Sequence, residues 1–172
     1  MVTRRTFLQV GLAGTALLAL AGACEKARPA AGSLRFLDAD SAALLAAVVP
    51  VVLAGALPAD EAPRRAAVRE VVEAFDRAVA GLAPAVQDEI DELLGTLRFR
   101  PARLLVGGPW APLHESPPER IAALLDAWRG SGFDLLRAGY QALTQLVFAA
   151  WYDNPSAWPA IGYPGPPAIG KP

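Results

Sequence analysis

Proline and glycine cut the chain between Leu37 and Asn154 into a series of runs, and within each run large apolar side chains return every three or four positions. "DADSAALLAAVVPVVLAG", from Asp38, places Leu44, Leu45, Val48 and Val49 on one stripe. "LPADEAPRRAAVREVVEAFDRAVAGL" does the same with Val68, Val71, Val72, Phe75, Val79 and Leu82, and "APAVQDEIDELLGTLRF" with Val86, Ile90, Leu93, Leu94 and Leu97. Such a period gathers apolar residues on one face of an α-helix. Strict apolar–polar alternation is nowhere sustained, so no substantial sheet is expected. The fold class that follows is all-α, an irregular bundle of about five helices.

The punctuation gives the expected ends. Asp38, Asp40 and Ser41 are candidate N-caps of the first helix, and Pro50 should end or kink it, because proline lacks the amide hydrogen and crowds the preceding turn. "RPARLLVGGPWAPLHES" reads as a short helical turn plus a loop. In "SPPERIAALLDAWRGSG", Ser116 is the expected cap, Pro117 the first helical position and Glu119 the far side of a capping box, with Gly130 or Gly132 as the stop. "FDLLRAGYQALTQLVFAAWYDN" carries Leu135, Leu136, Leu143, Leu146, Val147, Phe148 and Trp151 around most of its circumference, which predicts the central helix. Asp134 and Asp153 are candidate caps at its ends. The remaining "DNPSAWPAIGYPGPPAIGKP" is too rich in Pro and Gly for helix or internal strand, yet Trp158, Ile161 and Tyr163 are strongly apolar. Disordered tails are poor in aromatics, so an extended C-terminal arm is expected that either folds back on the bundle or lies on something else.

Residues 1–23 have the three parts of a secretory signal: a basic start, an apolar middle and a small-residue end. "TRRTFL", with Arg4, Arg5, Phe7 and Leu8, matches the twin-arginine address, read by machinery that exports proteins already folded. The apolar run Phe7–Ala23 is diluted by three glycines and falls slightly short of the about 20 residues a spanning helix needs. A cleaved signal and a periplasmic location are expected, with a retained membrane anchor as the alternative. Leu20-Ala21-Gly22-Ala23-Cys24 looks like a lipoprotein box; acylation of Cys24 would hold the protein on a membrane, and the alternative is a chance cysteine. The organisation read from the sequence is a signal over 1–23, a tether over 24–36, a helical domain over 37–152 and the arm over 153–172.

The chemistry available to the chain is sparse. Its 172 residues suit one domain, and 53% apolar against 19% charged residues leaves ample material for a core. Acidic residues outnumber basic ones 17 to 16, and the mature part, without Arg4 and Arg5, is weakly acidic. With no basic stripe interleaved with aromatics, nucleic-acid binding is not expected. A single cysteine allows neither an internal disulfide nor a Cys-based metal cluster. His114, between Pro112 and Pro117, reads as a surface or packing residue. Asp88, Glu89, Asp91 and Glu92 bunch on one helix and read as its solvated face rather than as two acids across a cleft. "VGGP" and "GSG" lack the spacing of a nucleotide-binding loop. Trp110, Trp128, Trp151 and Trp158 read as core or interface residues. No catalytic, cofactor-binding or metal-binding residue is assigned to this chain.

The twin-arginine start, the helix reading Val48-Val49-Pro50 and the aromatic end "FAAWYDNPSAWPAIGYPGPP", with Gly162 to Pro166, resemble the gluconate 2-dehydrogenase subunit 3 family. These are small subunits that accompany flavin-dependent sugar and alcohol dehydrogenases of the glucose–methanol–choline type. The resemblance implies that FAD and catalysis belong to a separate flavoprotein large subunit, that this chain is not itself an enzyme, and that it supplies the address to the twin-arginine translocase. It leaves open a cytochrome c subunit. It also implies a partner interface at the C-terminal end, with Trp151, Tyr152, Trp158, Ile161, Gly162, Tyr163, Pro164, Gly165 and Pro166 as its residues; Trp and Tyr are frequent hot spots of such interfaces. The alternatives are a stand-alone exported lipoprotein that binds or scaffolds something else, and a small enzyme with an unrecognised site.

Overall fold

In a computed structural model, which describes residues 34–165, the apolar runs become six α-helices: α1 (Ala39–Val52), α2 (Glu61–Ala80), α3 (Pro84–Arg98), α4 (Arg100–Leu105), α5 (Pro118–Arg129) and α6 (Asp134–Tyr152). Single 3₁₀ turns follow at Leu113–Glu115, Pro155–Ala157 and Pro159–Ile161, and there is no strand among the described residues. The chain forms the all-α bundle its spacing predicts. Arg4, Arg5, Phe7, Leu8, Cys24 and Pro166 lie outside the described residues.

Asp38 caps α1. Its backbone is extended, and its Oδ1 accepts from the Ser41 amide at 2.8 Å. Its other oxygen accepts from Arg98 Nη1 at the end of α3. Burial pushes the Asp38 carboxyl up, but the hydrogen bonds from Ser41 and Arg98 outweigh it and set it below the ordinary carboxylate value. A carboxyl depressed on folding adds stability that is complete above its unfolded value and is lost as pH falls through the folded one. Asp38→Asn keeps a capping oxygen and loses the charge. The side chain is 55% exposed, so the expected loss near neutral pH is only about 0.5–1 kcal/mol after solvent screening. Urea unfolding of both proteins should show that gap near neutrality and a gap that shrinks as pH falls below the ordinary carboxylate range; a gap that stays constant into acid would exclude an electrostatic origin.

α1 runs two residues past Pro50 instead of ending there. The proline stands in the last turn, where it removes a single helical bond, and the Leu53 amide closes the helix on Val49 O at 2.9 Å. The spacing predicts α6 as the central helix; the structure puts α1 there. α1 packs against α2, α3, α5, α6 and the Leu113–Glu115 turn, whereas α6 lies chiefly on α2 and α5. After Asp40, α1 has no charged side chain and can be surrounded, while α6 carries Asp134, Arg137, Gln141 and Gln145, which need water. The buried side chains from Leu37 to Ala157 form one cluster. Leu82 and Val86, read as members of the apolar stripes, flank the α2–α3 turn and are exposed.

Two further boundaries move. α5 begins at Pro118 with Pro117 extended, and Ser116 does not cap it; the Ser116 hydroxyl donates to Pro112 O at 2.9 Å. A residue that precedes proline is driven out of helical geometry, so Pro118 holds Pro117 outside the helix and breaks the capping-box register. At the amino end, the chain joins the domain before residue 37. The amides of Arg35, Phe36 and Leu37 all donate to the carboxylate of Asp76 on α2, at 2.7–2.8 Å.

Candidate interaction surfaces

The most exposed large apolar side chains are not in the C-terminal arm. Phe99 (64%), Leu105 (88%), Trp110 (65%), Phe133 (75%) and Leu135 (80%) exceed every other large apolar residue among those described. Phe99, Leu105 and Trp110 lie in or beside α4, and Phe133 and Leu135 at the start of α6; the local chemistry explains how the first three are held. Pro101 has no amide to offer Leu97 O, so α3 stops at Arg98. The carbonyls of Leu97 and Arg98 are instead taken by Arg103 Nη1, both at 2.8 Å. The same guanidinium reaches Pro109 O through Nε at 3.0 Å and Trp110 O through Nη2 at 3.1 Å.

Between these points α4 ends in a Schellman motif: the Gly107 amide bonds Leu104 O, the Gly108 amide bonds Arg103 O, and Gly107 takes φ +83°. Gly108 lies so close to Arg103 that a β-carbon there would come within 2.4 Å of Arg103 Cγ. Burial lowers the Arg103 pKa and the neighbouring Arg100 charge adds to the effect; an arginine stays charged all the same. The result is a tight knot. Phe99 and Trp110 project from it, and the Arg100 guanidinium lies 4.1 Å over the Trp110 ring. Trp128, fully buried, ties α5 to the knot through Nε1 to Val106 O at 2.8 Å. Its own carbonyl accepts from Ser131, whose hydroxyl accepts from the Phe133 amide. This turn leads directly into α6, which starts at Asp134 between Phe133 and Leu135.

The second surface is the outer face of α6. Leu135, Ala138, Gln141, Gln145, Phe148, Ala149 and Tyr152 are exposed at three- and four-residue spacing, and none is charged. The only charged residues of α6, Asp134 and Arg137, pair with each other in its first turn. This face spans about 25 Å and runs into residues 153–165. They are not an extended arm: they coil into two 3₁₀ turns held against the bundle. Ala157 enters the core, and Trp158 Nε1 donates to Tyr152 O at 2.8 Å while its ring meets Tyr163 edge-on at 5.3 Å. Arg77 pairs with Asp153 at 3.4 Å and Asn154 donates to Glu70 at 2.8 Å, joining the coil to α2. Proline at the start of each turn and Gly162 at φ +69° let the chain coil this tightly.

The expected interface residues therefore divide. Trp151 is 7% exposed and belongs to the core. Trp158 and Gly165 are half-buried against each other. Tyr152, Ile161, Gly162, Tyr163 and Pro164 face outward. Asp153 follows the last residue of α6 and pairs with Arg77. Asp88, Glu89 and Glu92 are exposed, Asp91 turns toward Arg98 at 3.7 Å, and His114 lies in an exposed turn beside Glu115. Among the described residues no three His, Cys, Asp or Glu side chains converge as metal ligands. Sequence reading passed over Phe99, Leu105 and Phe133, and counted Leu135 among the apolar residues of the helix expected at the centre. One signal was there: from Leu93 to His114 the chain has three arginines and no acid. No known family, curated protein or solved structure matches this chain.

Proposed function

We propose that this chain is the non-catalytic small subunit of an FAD-dependent sugar or alcohol dehydrogenase, exported to the periplasm by its twin-arginine address with the flavoprotein large subunit bound to it. The observation that carries the reading is the uncharged outer face of α6, from Phe148 and Tyr152 into Ile161 and Tyr163, on a chain whose sequence begins with an address for folded cargo. A flavoprotein must fold around FAD in the cytoplasm, so a large subunit without its own signal has to travel bound to one that has it. No flavin-binding role falls to residues of this chain.

The test is co-expression with the flavoprotein encoded beside it. A tagged chain should retain a yellow, FAD-bearing partner. Phe148→Glu with Tyr152→Glu, at positions 42% and 40% exposed, should weaken retention about a hundredfold, as expected for loss of two central aromatic contacts, with the melting temperature of the variant read beside it to verify folding. These point variants are cleaner than truncation after Asp153, which would also pull Ala157 out of the core. Replacing Arg4 and Arg5 by Lys should leave both proteins inside the cell. A chain that purifies alone, or a flavoprotein exported regardless, would defeat the proposal.

One observation favours the second reading, a stand-alone exported lipoprotein acting as a binding or scaffold module: residues 153–165 satisfy much of their own bonding against α2 and α6. The same pull-down separates the two, because that protein would be recovered without flavin.

A further inference from the structure

We propose that the outer stripe of α6 pairs with the same stripe of a second copy of this chain, antiparallel about a two-fold axis, and that this pair is the state of the chain before its large subunit binds.

Spacing sets the stripe. Asp134, Ala138, Gln141, Gln145, Phe148 and Tyr152 are all exposed, and they follow one another at intervals of four, three, four, three and four residues. That is a seven-residue repeat. It keeps side chains on a nearly straight seam along one side of a helix and suits a second helix crossing at about 20°. The seam runs for about 27 Å. The opposite side of α6 is already committed, with Leu143, Thr144, Val147, Ala150 and Trp151 buried.

Spacing alone would accept many partner helices; the chemistry selects this chain itself. Two copies related by an axis level with residue 143 bring Asp134 to Tyr152, Ala138 to Phe148 and Gln141 to Gln145, each pair twice. Every pair matches. Asp134 has a side chain 94% exposed, and beyond its bond from Arg137 the carboxylate keeps acceptor sites for the Tyr152 hydroxyl. Phe148, 42% exposed, meets an alanine, so a large side chain has a small one to sit on. The two glutamines each offer an amide donor and an acceptor. Parallel pairing instead sets Asp134 on Asp134, Phe148 on Phe148 and Ala138 on Ala138: a repulsion, a crowding and a gap. Antiparallel pairing also sets helix ends of opposite sign side by side. No cation stands in the stripe; Arg137 flanks it, bonded to Asp134 and to Ser131 O.

Size sets the strength. A strip about 27 Å long and about 10 Å wide on each copy falls below the roughly 1,200 Å² in total of a standard interface, in the class of weak and transient pairs. Dissociation in the micromolar range is expected. Such a pair covers Phe148 and Tyr152 until a larger interface displaces it. The displacement rests on the flavoprotein reading, which sets Phe148 and Tyr152 against the large subunit; the pairing rests on the stripe alone.

The test uses the full chain with Cys24→Ser, which removes its one cysteine, expressed without the flavoprotein and held at about 100 µM, above the dissociation expected. Protein carrying Ala138→Cys, mixed with protein carrying Phe148→Cys, should form a disulfide under copper–phenanthroline. Phe148→Cys by itself should not, because the axis separates its two copies by about 15 Å, beyond the about 7 Å that a disulfide spans. Gln141→Glu with Gln145→Glu, added to both samples, sets like charges across the seam and should cut the cross-link about tenfold. Gln141→Lys with Gln145→Glu sets opposite charges across it and should restore the cross-link. The melting temperature of each variant is read beside it to verify folding. These readouts are specific to the seam, so contact through other parts of the chain does not imitate them.

The proposal is overturned by a mixture that does not cross-link, by Phe148→Cys that cross-links with itself, which is the mark of a parallel pair, or by glutamate substitutions without effect. Co-expressed flavoprotein should suppress the cross-link, and a cross-link that survives in the yellow complex would overturn the displacement. The two readings fail separately. A yellow partner without a cross-link removes the pair and keeps the flavoprotein; a cross-link without a yellow partner does the reverse.

Discussion

Asp76→Ala is expected to be among the most damaging single substitutions in this chain. Asp76 is 2% exposed, in the last two turns of α2, and its two oxygens accept the amides of Arg35, Phe36 and Leu37. Alanine leaves those donors without partners where water reaches them poorly, and it releases the run that places Leu37 in the core. Charge-assisted hydrogen bonds contribute about 1.5–3 kcal/mol each, and their losses here are not independent, so the expected cost is about 3–5 kcal/mol. Asp76→Asn should fall between, because its remaining oxygen can still serve Phe36 and Leu37 while the amide nitrogen cannot accept from Arg35. Urea unfolding gives the free energies, and hydrogen exchange at the amides of Arg35 to Leu37 gives the location. An alanine variant as stable as the parent would show that this carboxylate does not hold the run.

The second large effect belongs to Arg103 and Gly108, which act as a pair. Arg103→Ala exposes the ends of four hydrogen bonds, to Leu97, Arg98, Pro109 and Trp110, and should cost about 3–5 kcal/mol. Arg103→Lys should recover little of it, since one ammonium cannot span carbonyls on both sides of the knot as the planar guanidinium does. Gly108→Ala drives a β-carbon to 2.4 Å from Arg103 Cγ and 2.9 Å from Arg103 O; the second neighbour is backbone, so the turn must open, at about 1–3 kcal/mol. The two losses should not add. With Arg103 already alanine, the Cγ is gone, and the cost of Gly108→Ala should shrink by about 1 kcal/mol or more in a double-mutant cycle. Full additivity would mean that Gly108 answers only to its own backbone.

These two sites also show why some of the structure was hidden in the sequence. Asp76 and Arg103 are polar residues in helical runs, where a charged side chain ordinarily marks the outward face. What makes them inward-facing is the backbone that arrives from elsewhere: residues 35–37 for Asp76, and the Gly107–Trp110 loop for Arg103. Pro117–Pro118 misled in a different way. The Ser-x-x-Glu spacing was present, but the second proline forbids helical geometry at the first and moves the start of α5 by one residue.

Apolar content by itself does not place the centre of the bundle, because it does not equal burial. α6 is apolar around much of its surface, and that surplus lies on the outside. The C-terminal aromatics likewise divide: Trp151 is drawn into the core, Tyr152 and Tyr163 stay exposed, and the most exposed large apolar side chains are Phe99, Leu105, Trp110, Phe133 and Leu135.

Local physics was enough to determine that this chain is helical, roughly where each helix lies, and that Asp38 caps the first. Spacing, capping oxygens and the missing amide of proline act within a few residues of one another, so one strand of text records them. Only the tertiary structure decided which helix is enclosed, which charges turn inward and which apolar side chains are left facing outward. Those outcomes depend on what approaches a face from a distant part of the chain, and no pattern along a single helix encodes the identity of its neighbour.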